Sequence, residues 1–124
     1  MIVGVGVDIV EIDRISKALN KNGNFISKTF TENEQEYMRG KKSMDQHAAG
    51  MFAAKEAVAK ALGTGFRGFF LKDIEVIRDD KGKPSIILHN GAEDIAQQLG
   101  AYIIHLSISH EKSNAIAYVI LEVR

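Results

Sequence analysis

The chain has no cysteine among its 124 residues, which excludes disulfides, thiolate metal ligands and thiol catalysis. A reducing cytoplasm is compatible with that, and we expect a soluble protein located there. Net charge is also missing. Sixteen Lys plus Arg balance sixteen Asp plus Glu, so no global field draws the chain to nucleic acid or to a membrane surface. Any electrostatic recognition has to be local. No two of the four histidines stand at metal-ligand spacing, which argues against zinc. His47, His89 and His105 are read as structural or surface residues. No repeat, low-complexity tract or linker divides the chain. The apolar start Met1 to Val10 lacks a basic leader and is interrupted by Gly4, Gly6 and Asp8, so it is expected to be neither signal peptide nor membrane span. With 45% hydrophobic residues there is enough for one domain over residues 1–124, and too little length for two.

What is present is concentrated in the run AGMFAAKEAVAKALGTG, Ala49 to Gly65, a helix of small residues carrying Lys55, Glu56 and Lys60. A helix this apolar is expected to be buried, and buried charges need a partner. At about 100° per residue, Lys55, Glu56 and Lys60 fall in one sector, and Met51, Val58 and Leu62 line another. The three charges are therefore expected to look into a site. Taken alone, a Glu56–Lys60 pair on an exposed edge is the plainer reading. The N-terminus shifts the balance. Ile2 to Val7 reads as a strand with Val3, Val5, Val7 and Ile9 on one face and Ile2, Gly4, Gly6 and Asp8 on the other. Two glycines on the face ending in a carboxylate point to close approach by a helix, a ligand or another chain. Asp8 is placed at the strand end, where a turn or capping aspartate is the ordinary alternative. Paired with Glu56, it can hold Mg²⁺ through oxygens while water and substrate phosphates complete the shell.

The remaining elements alternate. Ile12, Ile15 and Leu19 mark a helix stopped by KNGN at Lys21 to Asn24, leaving Arg14 and Lys17 outward. Thr31 and Glu34 form a capping box for a short helix through Met38. Asp45 is the expected cap of the long helix, Gly63 its end, and Thr64 to Gly68 a loop. Asp73 to Arg78 and Ser85 to His89 read as a hairpin around DDKGKP, and Gly91 to Leu99 as a short helix. Tyr102 to His110 and Asn114 to Val123 read as two long strands. In the first, Ile104, Leu106 and Ile108 face a core, His105, Ser107 and Ser109 face away, and His110 sits at the end. The order predicts an α+β chain, mostly antiparallel sheet packed with a long central helix and shorter helices. An apolar first strand with bare glycines and two long C-terminal strands offer more apolar surface than the helices cover, which predicts subunit association.

The blocks GVGVDIVEIDRI, FAAKEAVAKALGTG, KDIEV, GKP and LSISH occur in an order and spacing that cover nearly the whole chain. Together they resemble the holo-[acyl-carrier-protein] synthases, the small bacterial 4′-phosphopantetheinyl transferases. The resemblance implies that family's fold and transfer of the 4′-phosphopantetheine arm of coenzyme A to a serine of apo acyl-carrier protein, releasing 3′,5′-ADP and serving fatty acid biosynthesis. It implies Asp8 and Glu56 as Mg²⁺ ligands, and His110 beside the nucleotide, with Ser107 and Ser109 as weaker candidates. Lys60, one turn beyond Glu56, is placed for phosphate contact, and Gly63 and Gly65 let backbone approach the substrate. The serine proton goes to a metal-bound water or to a carboxylate such as Glu56. Carrier proteins are acidic, so Arg14, Lys17 and Lys21, with Lys28 further on, are candidate docking charges; Arg14 matches an arginine the family uses. The resemblance also implies a homotrimer with interfacial sites.

One departure stands out. Family members usually carry Arg immediately before FAAKEA, and this chain has Met51. Either Lys55 or Arg67 compensates, or Met51 packs. Two other classes use the same residues: a metal-dependent phosphohydrolase with water in place of serine, and a non-catalytic nucleotide-binding or assembly module.

Overall fold

A computed structural model describes residues 1–21 and 23–124. Among the described residues, five strands and five helices run in the order β1 (Ile2–Glu11), α1 (Ile12–Lys21), α2 (Asn24–Thr29), α3 (Glu32–Arg39), α4 (Met44–Leu62), β2 (Ile74–Arg78), β3 (Pro84–Leu88), α5 (Asn90–Gln97), β4 (Tyr102–His110) and β5 (Asn114–Val123), with a 3-10 turn, Leu71–Asp73, before β2. One antiparallel sheet has the order β1-β5-β4, and β2-β3 form a separate hairpin. The expected α+β architecture with antiparallel sheet and a long central helix is what the chain adopts.

Helix α4 lies across the three-stranded sheet, packed chiefly on β1 and β5. Its small residues make that possible. Ala53, Ala54, Ala57, Val58, Ala59 and Ala61 are buried, and Gly4 and Gly6 of β1 face it so closely that a Cβ on either would overlap the carbonyl oxygen of Ala61 or Ala57. Of the three approaches that the strand glycines allowed, the helix is the one found. It places Asp8, two residues beyond Gly6 on the same face, beside α4. Strand β1 does not end at Val7. Pairing with β5 continues through Asp8↔Ala117 to Glu11↔Asn114, so Asp8 is an interior strand residue rather than a terminal or capping one.

Other boundaries shift for local reasons. Ser43, not Asp45, is the N-cap residue of α4, and the Asp45 carboxylate accepts from the neighbouring Gln46 N–H at 2.9 Å. The Thr31–Glu34 capping box forms, with Thr31 N–H donating to Glu34 Oε1 at 2.8 Å. Helix α2 was not anticipated. The KNGN stop includes Asn22, which lies outside the described residues; α1 reaches Lys21 and α2 starts at Asn24. Strands β4 and β5 have the expected limits. Gly63 closes α4 in the left-handed region at φ 81°, where glycine alone carries no Cβ penalty.

The face of the sheet opposite α4 is bare. Val5, Val7 and Ile9 pair with Ile120, Tyr118 and Ile116 on it, and Ile9 is 64% exposed; a register shift between Ile2 and Gly4 pairs Ile2 with Glu122, so the expected alternation does not hold at Ile2. The other core lies between α4, α3 and the hairpin, around Phe30, Met38, Met51 and Ile74, all essentially inaccessible. Truncating Phe30 to alanine is expected to cost about 3–5 kcal/mol.

Candidate active site

Three charged side chains converge where β1 crosses the second half of α4. Lys60 Nζ donates to the Val7 carbonyl oxygen at 2.9 Å and lies 3.3 Å from Asp8 Oδ1. Glu56, one turn earlier on α4, is half-buried. Its carboxyl is pushed above the ordinary value, first by burial and then by the negative charge of Asp8, with Lys60 and Arg14 pulling the other way. Two carboxylates thus stand close enough to repel, with two cations near enough to oppose that. Lys60 pairs with Asp8 rather than with Glu56, so the exposed i,i+4 pair is not what forms.

That donor set fits a hard divalent cation. Both groups offer oxygen, the mutual repulsion is what a cation relieves, and no group of three His, Cys, Asp or Glu forms a fuller cage among the described residues, which leaves water and substrate oxygens for the remaining positions. Beside Glu56 opens a cavity of about 480 Å³ walled by Phe25, Phe66, Phe69, Phe70 and Leu71, with Lys28 at its edge. Gly63 and Gly65 follow Lys60 with φ 81° and 60° and nothing packed where a Cβ would lie, so that loop exposes backbone.

Lys55 belongs elsewhere, contrary to the expectation that it shares a notch with Glu56 and Lys60. Its side chain is fully buried and paired with Glu34 Oε1 at 2.8 Å, and it donates to the carbonyls of Leu71 at 3.2 Å and Ile74 at 2.5 Å. Glu34 in turn accepts from Val76 N–H at 2.7 Å. Burial lowers the Lys55 proton affinity and Glu34 opposes the shift. This network joins α3, α4 and β2 and holds α4 in its rotation; Lys55 is not available to replace the missing arginine. Met51 is 1% exposed and packs in the core.

Among the docking candidates, Arg14 is close enough to Glu56 to bias its titration. Lys17 is exposed and paired with Asp13 at 3.0 Å, and Lys21 is exposed at the end of α1. His110 stands across β5 from Asp8, on the far strand β4, in a cavity of about 290 Å³ with His47, Gly50, Arg78 and Gly82. Its register partner is Ala115, fully buried, so it shares the α4 side of the sheet. Ser107 and Ser109 are exposed and alternate to the opposite face; the fold does not bring them to His110. His89 bonds Glu75 at 3.0 Å and His105 bonds Glu122 at 2.9 Å, structural roles as expected. His47, expected to be a structural or surface residue, lines the His110 cavity.

Sequence reasoning missed the phenylalanine-walled cavity, the Glu34–Lys55 network and the Arg78 cluster. The signal for the first was three phenylalanines, Phe66, Phe69 and Phe70, close together in a glycine-rich loop, only one of which, Phe69, the core buries. Glu34 had its capping role to account for it. Arg78 gave no signal, because only the hairpin's packing carries it to His47 and His110.

The model of the 4′-phosphopantetheinyl transferase superfamily matches residues 4–119. A holo-[acyl-carrier-protein] synthase of Clostridium novyi is 56% identical over 123 residues, 99% of this chain and 89% of that one. The fold superposes on a holo-(acyl-carrier-protein) synthase from Bacillus anthracis in complex with CoA (3′,5′-ADP), with TM-score 0.84 and 44% identity over 100% of this chain and 99% of the other. It also superposes on the holo-[acyl-carrier-protein] synthase of Neisseria meningitidis, with TM-score 0.90 and 34% identity over 98% and 99% of the two chains.

Proposed function

The chain belongs to the 4′-phosphopantetheinyl transferase superfamily, and on that premise we propose that it transfers the 4′-phosphopantetheine arm of coenzyme A to a serine hydroxyl of apo acyl-carrier protein, releasing 3′,5′-ADP. The observation that carries this reading is the meeting of Asp8, Glu56 and Lys60 beside an apolar cavity. Asp8 and Glu56 are the residues that would hold a Mg²⁺ ion. When bound, the ion neutralises charge that builds on the pyrophosphate oxygens. Lys60 holds a phosphate oxygen, and the open backbone at Gly63 and Gly65 lets the pyrophosphate lie close. The serine oxygen bonds to the β-phosphorus, the bond to the bridging oxygen breaks, and 3′,5′-ADP leaves with that oxygen. Glu56 takes the serine proton on its free oxygen. The cavity walled by Phe25, Phe66, Phe69 and Phe70 takes the largely uncharged arm. An acidic carrier docks over Arg14 and Lys28, which flank Glu56, with Lys17 and Lys21 further out. Holo carrier protein is what fatty acid biosynthesis requires, and this reading puts the enzyme at that step.

The nucleotide end lies at His110, and the site is shared between subunits. Glu56 follows His47 on α4 by nine residues, which is about 13 Å along the helix and about 180° around it. The helix therefore stands between the carboxylates and the His47–His110 cavity of its own chain. The bare face of β1 and β5 offers a second copy an apolar seat, and a closed trimer sets one chain's Glu56 against its neighbour's His110. Mixing inactive Asp8→Ala and His110→Ala chains is expected to restore part of the transfer activity in trimers by sedimentation, because some interfaces then hold both residues. A monomer contradicts the assembly; a trimeric mixture that stays inactive puts both residues in one chain's site. For the metal, Asp8→Ala is expected to need raised Mg²⁺, and near wild-type transfer at low Mg²⁺ refutes that assignment.

A further inference from the structure

The loop after α4 supplies Phe66, Phe69, Phe70 and Leu71 to the cavity beside Glu56, and the start of α5 holds that loop from behind. Gly91 comes so close that a Cβ there would overlap the Gly68 carbonyl oxygen and lie 3.3 Å from Phe69 Cβ. The same helix start reaches the far end of the loop through one side chain. Asp73, only 8% exposed, accepts from Asn90 Nδ2 at 3.0 Å on one carboxylate oxygen and from the Phe70 N–H at 3.0 Å on the other. Its own N–H returns a bond to the Phe70 carbonyl at 2.9 Å, and its carbonyl accepts from the His89 N–H at 2.7 Å.

Asn90 has φ 51°, the only positive value outside glycine among the described residues. That is the left-handed region, which asparagine enters more readily than most side chains. Its neighbour His89 is anchored from the other side by Glu75 at 3.0 Å, and Glu75 also accepts from Thr31 Oγ1 at 2.6 Å. A costly conformation persists only where its surroundings fix it, and what this one delivers is an amide to Asp73. Phe70 needs such a hold. It is 77% exposed, so packing restrains it little, and it stands between the cavity beside Glu56 and a neighbouring one of about 700 Å³ that Asp73, His89 and Asn90 also line. Once freed from Asp73, the ring has that larger space to turn into, and the wall opens.

Resting on the reading that the phenylalanine-walled cavity takes the donor's arm, we propose that Asn90 is a positioning residue for that arm: through Asp73 it fixes the Phe70 backbone and so sets the wall against which the arm binds. Asn90 stands outside the cluster of Asp8, Glu56 and Lys60. Its loss is therefore felt by the arm, and neither by the nucleotide nor by the chemical step.

Calorimetry with coenzyme A and with 3′,5′-ADP, which lacks the arm, tests this in the variant Asn90→Gly. Glycine accepts φ 51° without strain, so only the amide is lost. Wild type is expected to bind coenzyme A more tightly than 3′,5′-ADP. The variant should bind coenzyme A roughly fivefold more weakly, the scale of one hydrogen bond, and 3′,5′-ADP as before. The KM for coenzyme A should rise by the same factor with kcat held, and amide hydrogen exchange at Phe70 should quicken. Equal weakening of both ligands, or of neither, overturns the proposal, as does unchanged exchange at Phe70. Should Asn90→Gly fail to fold, Asn90→Asp, which sets a second carboxylate against Asp73, decides by the same readings. Wild type that transfers nothing to carrier protein ends the transfer reading but not this one: the calorimetry still decides, and coenzyme A bound no more tightly than 3′,5′-ADP by wild type overturns it.

Discussion

Replacing Gly6 by alanine adds a single methyl group at the tightest contact between β1 and α4. Built on the present backbone, that methyl overlaps the Ala57 carbonyl oxygen and crowds the Ala61 N–H. Neither obstacle is a side chain that can rotate away, so strand and helix must separate. Overpacking of this kind costs about 1–3 kcal/mol, and at this chain length roughly 3–5 °C of Tm accompanies each kcal/mol. The expected loss is thus about 3–15 °C in a thermal melt. Function should fall further than stability. Asp8 rides on the same face two residues on, and displacing it by about 1 Å from Lys60 and Glu56 can lower turnover on the order of 10²-fold. Gly23→Ala, at a site where nothing lies within reach of a Cβ, is the control and should leave both readings within error. A Gly6→Ala protein that melts within 1 °C of wild type, a window well inside the about 3–15 °C expected, refutes the packing argument. One that melts lower but turns over normally refutes the claim that this contact sets Asp8.

Glu56→Gln should abolish transfer while raising Tm, because burial and Asp8 both disfavour its ionised form. The sign follows from linkage: a carboxyl raised in the folded state binds more protons there, so wild-type stability falls as pH rises from the ordinary value of 4.5 through the raised one, and melts of the variant across that window should be flatter. Added Mg²⁺ should stabilise wild type and not the variant; a variant less stable than wild type at neutral pH counts against the repulsion. Lys55→Met strands the buried Glu34 carboxylate and should cost about 3–5 kcal/mol by urea unfolding, with Glu34→Gln added to it recovering part. A loss below about 1 kcal/mol would mean that the network is not holding α3, α4 and β2 together. Arg14→Glu should raise the KM for the carrier protein far more than for coenzyme A, and wild-type rates should fall with ionic strength. An unchanged carrier KM removes Arg14 from the docking surface.

The convergence of Asp8 with α4 was readable from the sequence because two independent periodicities pointed to it. Alternation put Gly4, Gly6 and Asp8 on one face of β1, which called for a close neighbour there, and the small-residue helix carrying Glu56 was expected to be buried; that the neighbour is this helix, and not a ligand or another chain, came only with the fold. Strands β4 and β5 were readable for the same reason, their alternation being unbroken. The direction of Lys55 was not. It lies only about 100° from Glu56 around the helix, and whether a side chain there meets the site or the core depends on α3 and β2, whose packing no local pattern encodes. Strand β1 ran past its expected end because β5 supplies partners as far as Asn114, a tertiary extension of a pattern that weakens at Asp8. Arg78, His47 and His110 meet only in the folded chain.

The most direct measurement of the central claim is the mass of apo acyl-carrier protein after incubation with this protein, coenzyme A and Mg²⁺, read beside the 3′,5′-ADP released with and without the carrier. The account predicts a phosphopantetheine-sized gain on the carrier serine, matched mole for mole by 3′,5′-ADP, and no release when the carrier is left out. Release of 3′,5′-ADP without carrier identifies a phosphohydrolase, and nucleotide binding with neither release nor mass gain identifies a non-catalytic module. Either result contradicts the account.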